Sequence, residues 1–298
     1  GLFALRVPRP YLQRIQTGNP NDPLLRQVLP LGAEGDDTPG YRDDPVGDGQ
    51  SLQAGGVIHK YTGRALLVAT GACAINCRYC FRRHFPYADA NASTGQWREA
   101  LAYLGADSSI HEAILSGGDP LSLNDRRLGE LGEGLHAIPH LRRLRIHSRL
   151  PVVLPSRIND ALLGWFTGGR LTPVLVIHAN HPQELDAEVA DAMQRLAAAG
   201  VRLYNQAVLL RGVNDDADVL EALGERLFAI GVQPYYLHLL DRVRGAAHFE
   251  VPTERAGALM RQLAGRTPGY LLPRLVREVA GQPWKVPVQW APDTGRAL

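Results

Sequence analysis

The segment Cys73-Ala74-Ile75-Asn76-Cys77-Arg78-Tyr79-Cys80 contains every cysteine of the 298-residue chain. Three thiols packed into eight positions, with none elsewhere, read as ligands rather than as disulfide partners or core filling. An odd count also fits a reducing compartment, where thiolates stay free for metal. A structural zinc usually takes four protein ligands, and the fourth here would have to be a histidine, with His84 the nearest. Three thiolates on one short loop can instead hold three irons of a four-iron cluster, leaving the fourth iron open to a ligand that is not protein. An open iron implies chemistry.

Directly ahead of this loop lies a short apolar run, residues 65–69, and from Arg64 onward such runs alternate with amphipathic stretches. Runs at 113–115, 144–147, 174–178, 203–209 and 233–237 read as further strands, and 97–104, 128–137, 158–166, 182–199 and 217–230 as helices. Asp215 and Asp216 ahead of the last helix, and Gly200 and Gly231 behind the last two, serve as caps. Six βα units in succession build either an open doubly wound sheet or a barrel that is not fully closed. Residues 1–62 read as an amino-terminal extension that covers the barrel, with a short helix near 23–28; the barrel spans 63–250, and a carboxyl-terminal segment of one helix and a loop follows over 251–298.

Polar residues gather at the carboxyl ends of the runs: Cys73, then Ser116-Gly117-Gly118-Asp119, His147-Ser148-Arg149, His178, Asn205-Gln206, and His238 with Asp241. Barrel enzymes keep their sites at that mouth. A formal net charge of +2 gives no electrostatic case for nucleic acid or an anionic membrane, which leaves a small molecule as the partner. No run approaches the roughly 18–20 apolar residues of a membrane span, and GLFALRVPRP at the amino end is broken by arginine and proline, unlike a secretory signal. The expectation is a cytoplasmic protein, with room for a segment ahead of Gly1. Of 32 basic side chains only Lys60 and Lys285 are lysines, so a lysine that remains marks a place where an amine is required.

With Tyr79 before the last cysteine and a strand just ahead, the loop resembles that of the radical S-adenosylmethionine (SAM) superfamily. There the open iron is chelated by SAM, and the reduced cluster cleaves it to methionine and a 5′-deoxyadenosyl radical. Ser116-Gly117-Gly118-Asp119 stands where that family has the glycine motif holding the methionine amino group; taken alone it is equally a strand-ending turn. Closer still, HKYTGRALL (59–67), CRYCFRRHFPY (77–87), LSGGDPL (115–121), RIHSRLPVVLP (145–155), NQAVLLRGVND (205–215), PYYLHLLD (234–241) and GYLLPRL (269–275) resemble the lysine 2,3-aminomutase family. NPNDPLLRQVLP (19–30), CFRRHFPY (80–87) and LHLLDRVRGAAHF (237–249) are similar to its branch serving β-lysylation of elongation factor P. The fold so implied is α/β, a partial (β/α)6 TIM-type barrel of the radical SAM kind with extensions at both ends.

That family also carries pyridoxal 5′-phosphate on a lysine near the carboxyl end, and Lys285 falls at the matching place, although Gln282-Pro283-Trp284 replaces the glycine run of longer members. By resemblance Cys73, Cys77 and Cys80 bind the cluster; Ser116, Gly117, Gly118, Asp119, Arg149, His178 and Gln206 face SAM; Tyr61 and Arg64 lie near pyridoxal phosphate. Arg82 matches the clamp for the substrate carboxylate, a task a guanidinium fork suits. Asp241 and Glu278 match two aspartates that receive the side-chain ammonium, the second lengthened by a methylene and set in a helical-looking run, 275–279. A buried unpaired ammonium is costly, so two carboxylates select lysine over glutamate or an apolar amino acid. The resemblance thus implies conversion of L-lysine to (R)-β-lysine, with a flavodoxin or ferredoxin as reductant and an elongation factor P lysyl-ligase taking the product. Another cationic amino acid, such as ornithine, meets the same charges. A non-catalytic metal-binding protein would lack Lys285 or the glycine motif, and both are present.

Overall fold

The computed structural model describes residues 4–87 and 94–290. Strands β1 (Val57–Tyr61) and β2 (Arg64–Thr70) form an antiparallel hairpin, and β3 (Glu112–Gly117), β4 (Arg143–Ser148), β5 (Thr172–Ile177), β6 (Arg202–Val208), β7 (Gln233–His238) and β8 (Arg274–Arg277) then add in parallel. A two-residue strand, β9 (Val286–Pro287), pairs antiparallel on β8. The six runs read from the sequence all appear as parallel strands, and a seventh, β8, joins them. It occupies the stretch that looked helical: Leu275 and Val276 are both buried, as in a strand covered on its two faces, so the period-2 alternation that marks a strand is missing. The sheet also takes in residues 57–61, 274–277 and 286–287, across both expected domain limits.

Side-chain alternation sorts the sheet into two faces. Ala65, Leu67, Ala113, Leu115, Leu144, Ile146 and Leu237 point into the large core shared with the outer helices. Their neighbours Arg64, Leu66, Ile114, Ser116, Arg145, His147, Tyr236 and His238 line a cavity on the other face. After two short helices of the amino-terminal segment, α1 (Arg9–Gln13) and α2 (Pro23–Arg26), the outer layer consists of α3 (Thr94–Ala106), α4 (Asp125–His136), α5 (Leu150–Val153), α6 (Asp160–Thr167), α7 (Ala187–Ala198), α8 (Ala217–Ala229) and α9 (Thr253–Ala264). Asn124, Asn159, Asp186 and Asp216 each accept a backbone N–H at the start of α4, α6, α7 and α8, fixing where those helices begin. No helix among the described residues is long and apolar enough to cross a membrane.

Among the described residues no backbone pairing joins β9 to β1. Side chains bridge that seam instead: Tyr61 of β1 donates its hydroxyl to Glu278, and Glu278 accepts Lys285 Nζ at 2.6 Å. At the opposite rim the amino-terminal segment packs under the cysteine loop, where Tyr11, Leu24 and Val28 bury against Ile75 and Val153. Backbone bonds tie the two together, from Asn76 N to Arg6 O at 3.1 Å and from Arg78 N to Gln27 O at 2.9 Å.

Candidate active site

Every residue singled out in the sequence as a cofactor or substrate ligand lines one cavity of about 500 Å³, which reaches from the carboxyl ends of the strands to Arg64 at the start of β2. The three cysteines lie in the loop after β2, Asp241 follows β7, and Glu278 and Lys285 lie at the seam, between β8 and β9. His84, the fourth ligand a zinc site would need, is not among the lining residues; its Nε2 lies 3.3 Å from the Arg244 carbonyl. Among the described residues no three His, Cys, Asp or Glu side chains converge on a single metal-ion position, whereas a four-iron cluster takes each thiolate on a different iron.

The glycine motif does more than end a strand. Gly118 N donates to Thr70 O at 2.7 Å and Asp119 N to Ala72 O at 2.8 Å, so the motif is laid directly on the backbone leading into the cysteine loop. A Cβ on Gly118 would sit 2.5 Å from Ala72 O and 2.8 Å from Gly71 C, both immobile backbone atoms. The close approach that requires glycine here is therefore to the protein's own chain. Gly118→Ala should cost about 1–3 kcal/mol of stability and displace the cysteine loop; a thermal melt and an iron count after reconstitution test this, and a variant with wild-type values in both contradicts it.

Asp119, expected to face SAM, is buried with both oxygens engaged: Oδ1 accepts Ser148 Oγ at 2.7 Å and Leu121 N at 3.1 Å, and Oδ2 accepts Arg149 N at 2.8 Å and Leu150 N at 3.0 Å. It ties β3 to β4. Arg149 likewise turns to the protein, with its guanidinium against Cys77, Tyr11, Gln27 and Glu184. His178 pairs with Gln206 at 3.0 Å, and burial, aided by Arg149, Arg82 and Lys285, pushes its imidazole down to about 3, so the ring is neutral. Nε2 of His147 and of His238 is buried with no partner among the described residues. Orphaned polar atoms on a cavity wall mark a site whose hydrogen bonds are completed by a ligand.

Arg82 uses Nε for Asp48 Oδ2, at 2.7 Å, and Nη1 for Ser116 Oγ, at 3.2 Å. Asp48 holds the chain's other lysine too, with Lys60 Nζ 2.6 Å from Oδ1. Neither Asp48 nor Lys60 was assigned a role from sequence. Lysine scarcity did point at Lys60, but Asp48 sits in a Gly- and Asp-rich passage that carries no periodicity. Near the seam Arg64 stacks over the Tyr61 ring at 4.4 Å, and Lys285 Nζ lies 5.9 Å from the Tyr236 ring centroid. Burial opposes the charge of Glu278, but Lys285, Tyr61 and Lys60 outweigh it and hold its carboxyl below the usual range.

Asp241 differs from Glu278. Its carboxylate accepts no hydrogen bond from a described residue, and burial, with Glu278 and Asp48 adding and Lys285 and Lys60 opposing, pushes its pKa up to about 7. An unpaired carboxylate in a cavity is poised for a cation. A cationic ligand binds the ionised form, so its affinity should rise with pH up to about 7 and then level off. The measurement is KM for the cationic substrate between pH 6 and 8 in wild type and Asp241→Asn; a slope that survives in the variant assigns the titration to another group.

A model of the Radical SAM superfamily matches residues 67–223. The L-lysine 2,3-aminomutase of Escherichia coli (strain K12) is 51% identical over 287 residues, 96% of this chain and 84% of that protein. That of Haemophilus influenzae is 49% identical over 284 residues, 95% and 84% respectively, and that of Clostridium subterminale 37% over 280 residues, 93% and 67%. A crystal structure of a radical SAM methyltransferase from Sphaerobacter thermophilus superposes with a TM-score of 0.51 at 16% identity, over 74% of this chain and 69% of that one, a likeness of fold alone. The barrel is that of the radical SAM superfamily, whose enzymes use a [4Fe-4S] cluster and SAM. Within it the chain belongs to the L-lysine 2,3-aminomutase family, a family of isomerases.

Proposed function

We propose that this protein converts L-lysine to (R)-β-lysine, with Cys73, Cys77 and Cys80 holding the cluster, SAM lying between the cluster and Ser116, Gly117, Gly118, His178 and Gln206, and pyridoxal phosphate carried on Lys285. The observation that carries this reading is the shared cavity, lined by the three thiols and also by Lys285 with Glu278 against its amine and by Asp241. The residues suit the groups assigned to them. Orphaned histidine nitrogens offer hydrogen bonds to a polar ligand, Arg64 suits a phosphate, and Lys285 presents an amine in a partly enclosed setting. When bound, the cluster with SAM supplies a hydrogen-abstracting radical, and pyridoxal phosphate a π system through which an amino group can move.

The chain's own contribution is recognition and enclosure. Arg82, braced by Asp48 and Ser116, presents its fork to the substrate carboxylate. Asp241 receives the side-chain ammonium, and Glu278 supports it once Lys285 is engaged elsewhere. Apolar walls from Ile58, Leu66, Ile114 and Val208 exclude the water that would quench a radical. A reduced flavodoxin or ferredoxin supplies the electron, and the β-lysine serves modification of elongation factor P by a separate ligase. Deuterium on the carbons of L-lysine tests the reading: an isomerase returns the abstracted hydrogen, so label should pass by way of 5′-deoxyadenosine into SAM in the anaerobically reconstituted protein, and β-lysine formed with SAM free of label would contradict it.

A further inference from the structure

The amino-terminal segment and the cysteine loop meet at one buried guanidinium. Nη1 of Arg149 lies 2.7 Å from Cys77 Sγ, while Nη2 donates to Gln27 Oε1 at 2.7 Å, Glu184 Oε2 at 3.0 Å and Tyr11 OH at 3.2 Å. The side chains of Arg149 and Glu184 are 4% and 0% exposed. Glu184 Oε1 is itself fixed by Asn180 N at 2.9 Å, His181 N at 3.1 Å and Gln27 Nε2 at 3.2 Å. A buried carboxylate so supplied with donors is fixed in one position, and it pins the guanidinium in place. An arginine fork can serve a sulfur on one prong and oxygens on the other, which a lysine ammonium at that depth cannot do in the same geometry.

We infer that Arg149 tunes the reduction of the cluster by donating a charged N–H to the Cys77 sulfur, held in that pose by Tyr11 and Gln27 of the amino-terminal segment and by Glu184. The inference rests on the cluster assignment to the three cysteines. In the step concerned one electron passes from a reduced flavodoxin- or ferredoxin-class donor to the oxidised cluster, and no bond or proton moves. The reduced cluster carries one more negative charge, and a cationic donor at a ligand sulfur stabilises that state more than the oxidised one. The amino-terminal segment, which reads from sequence as a cover, thereby becomes part of the redox centre.

The test is an EPR-monitored redox titration of the anaerobically reconstituted protein, with iron counted on the same samples. In Arg149→Met the ratio of reduced to oxidised cluster at a fixed poise should fall about tenfold, a shift of about 59 mV to more negative potential for a one-electron couple. Arg149→Lys, which keeps the charge beside Glu184 but withdraws the fork from sulfur, should shift the same way by less, and it decides the matter if the methionine variant loads no iron. In Arg149→Met/Glu184→Gln, where no buried charge is left unpaired, the shift should persist, because the lost cation touches the sulfur and the lost anion lies beyond it. Unchanged potentials in variants holding about four irons overturn the inference. A wild-type protein that binds no iron overturns the cluster assignment beneath it.

Discussion

Lys285→Ala should abolish turnover and remove the visible absorption of protein-bound pyridoxal phosphate, while the cluster, held by the loop after β2, loads normally. The chain has only two lysines, and Lys60 is committed to Asp48 at 2.6 Å and the Val46 carbonyl at 2.8 Å, inside a pair that also orients Arg82. Lys285 Nζ has Glu278 at 2.6 Å and stands over the cavity beside Tyr236. The variant also leaves Glu278 without its principal cation, so its carboxyl should rise from its depressed value as burial takes over. A spectrum unchanged from wild type would move the cofactor to Lys60.

Asp241→Ala should reduce kcat/KM for lysine by about two orders of magnitude, the order expected when one side of a desolvated ion pair worth about 3 kcal/mol is deleted. Iron content and pyridoxal phosphate absorption should stay at wild-type levels, because Asp241 touches neither the cysteine loop nor Lys285 through a hydrogen bond among the described residues. Glu278→Ala should behave differently, losing cofactor occupancy along with affinity for lysine, since Glu278 is bonded to both Tyr61 and Lys285. Equal kcat/KM in Asp241→Ala and wild type would remove the argument that this carboxylate selects a diamine.

The barrel was legible because its strands obey a simple rule: apolar runs of five or so residues, each followed by a polar cluster, at the spacing of βα units. What escaped were the strands beside the seam, β1, β8 and the two-residue β9. β1 contributes only two apolar positions, and its strand character lies in the Thr62-Gly63 turn, a short-range hairpin signal that a search for βα alternation passes over. β8 is four residues long and buried on both faces, and nothing in such a run separates strand from helix until a partner strand is known.

For the site, residue types at the strand ends and the scarcity of cysteine and lysine named part of the lining, because both signals are local, while Tyr61, Arg64, Arg82 and Glu278 came only from the resemblance to the lysine 2,3-aminomutase family. Their partners were not local. Asp48, 34 residues before Arg82, and Gln27 and Glu184, 157 residues apart, become neighbours only through the fold. The glycine motif shows the same limit: the resemblance assigns it to SAM, but nothing in the sequence shows that Gly118 also lies against residues 71–72 of the chain itself.

The most direct test of the account is chiral analysis of the amino acids formed when anaerobically reconstituted protein is incubated with L-lysine, SAM, pyridoxal phosphate and a one-electron reductant. The account predicts (R)-β-lysine, formed only when all the components are present. Recovery of unchanged L-lysine alongside an intact, reducible cluster and bound pyridoxal phosphate would contradict it.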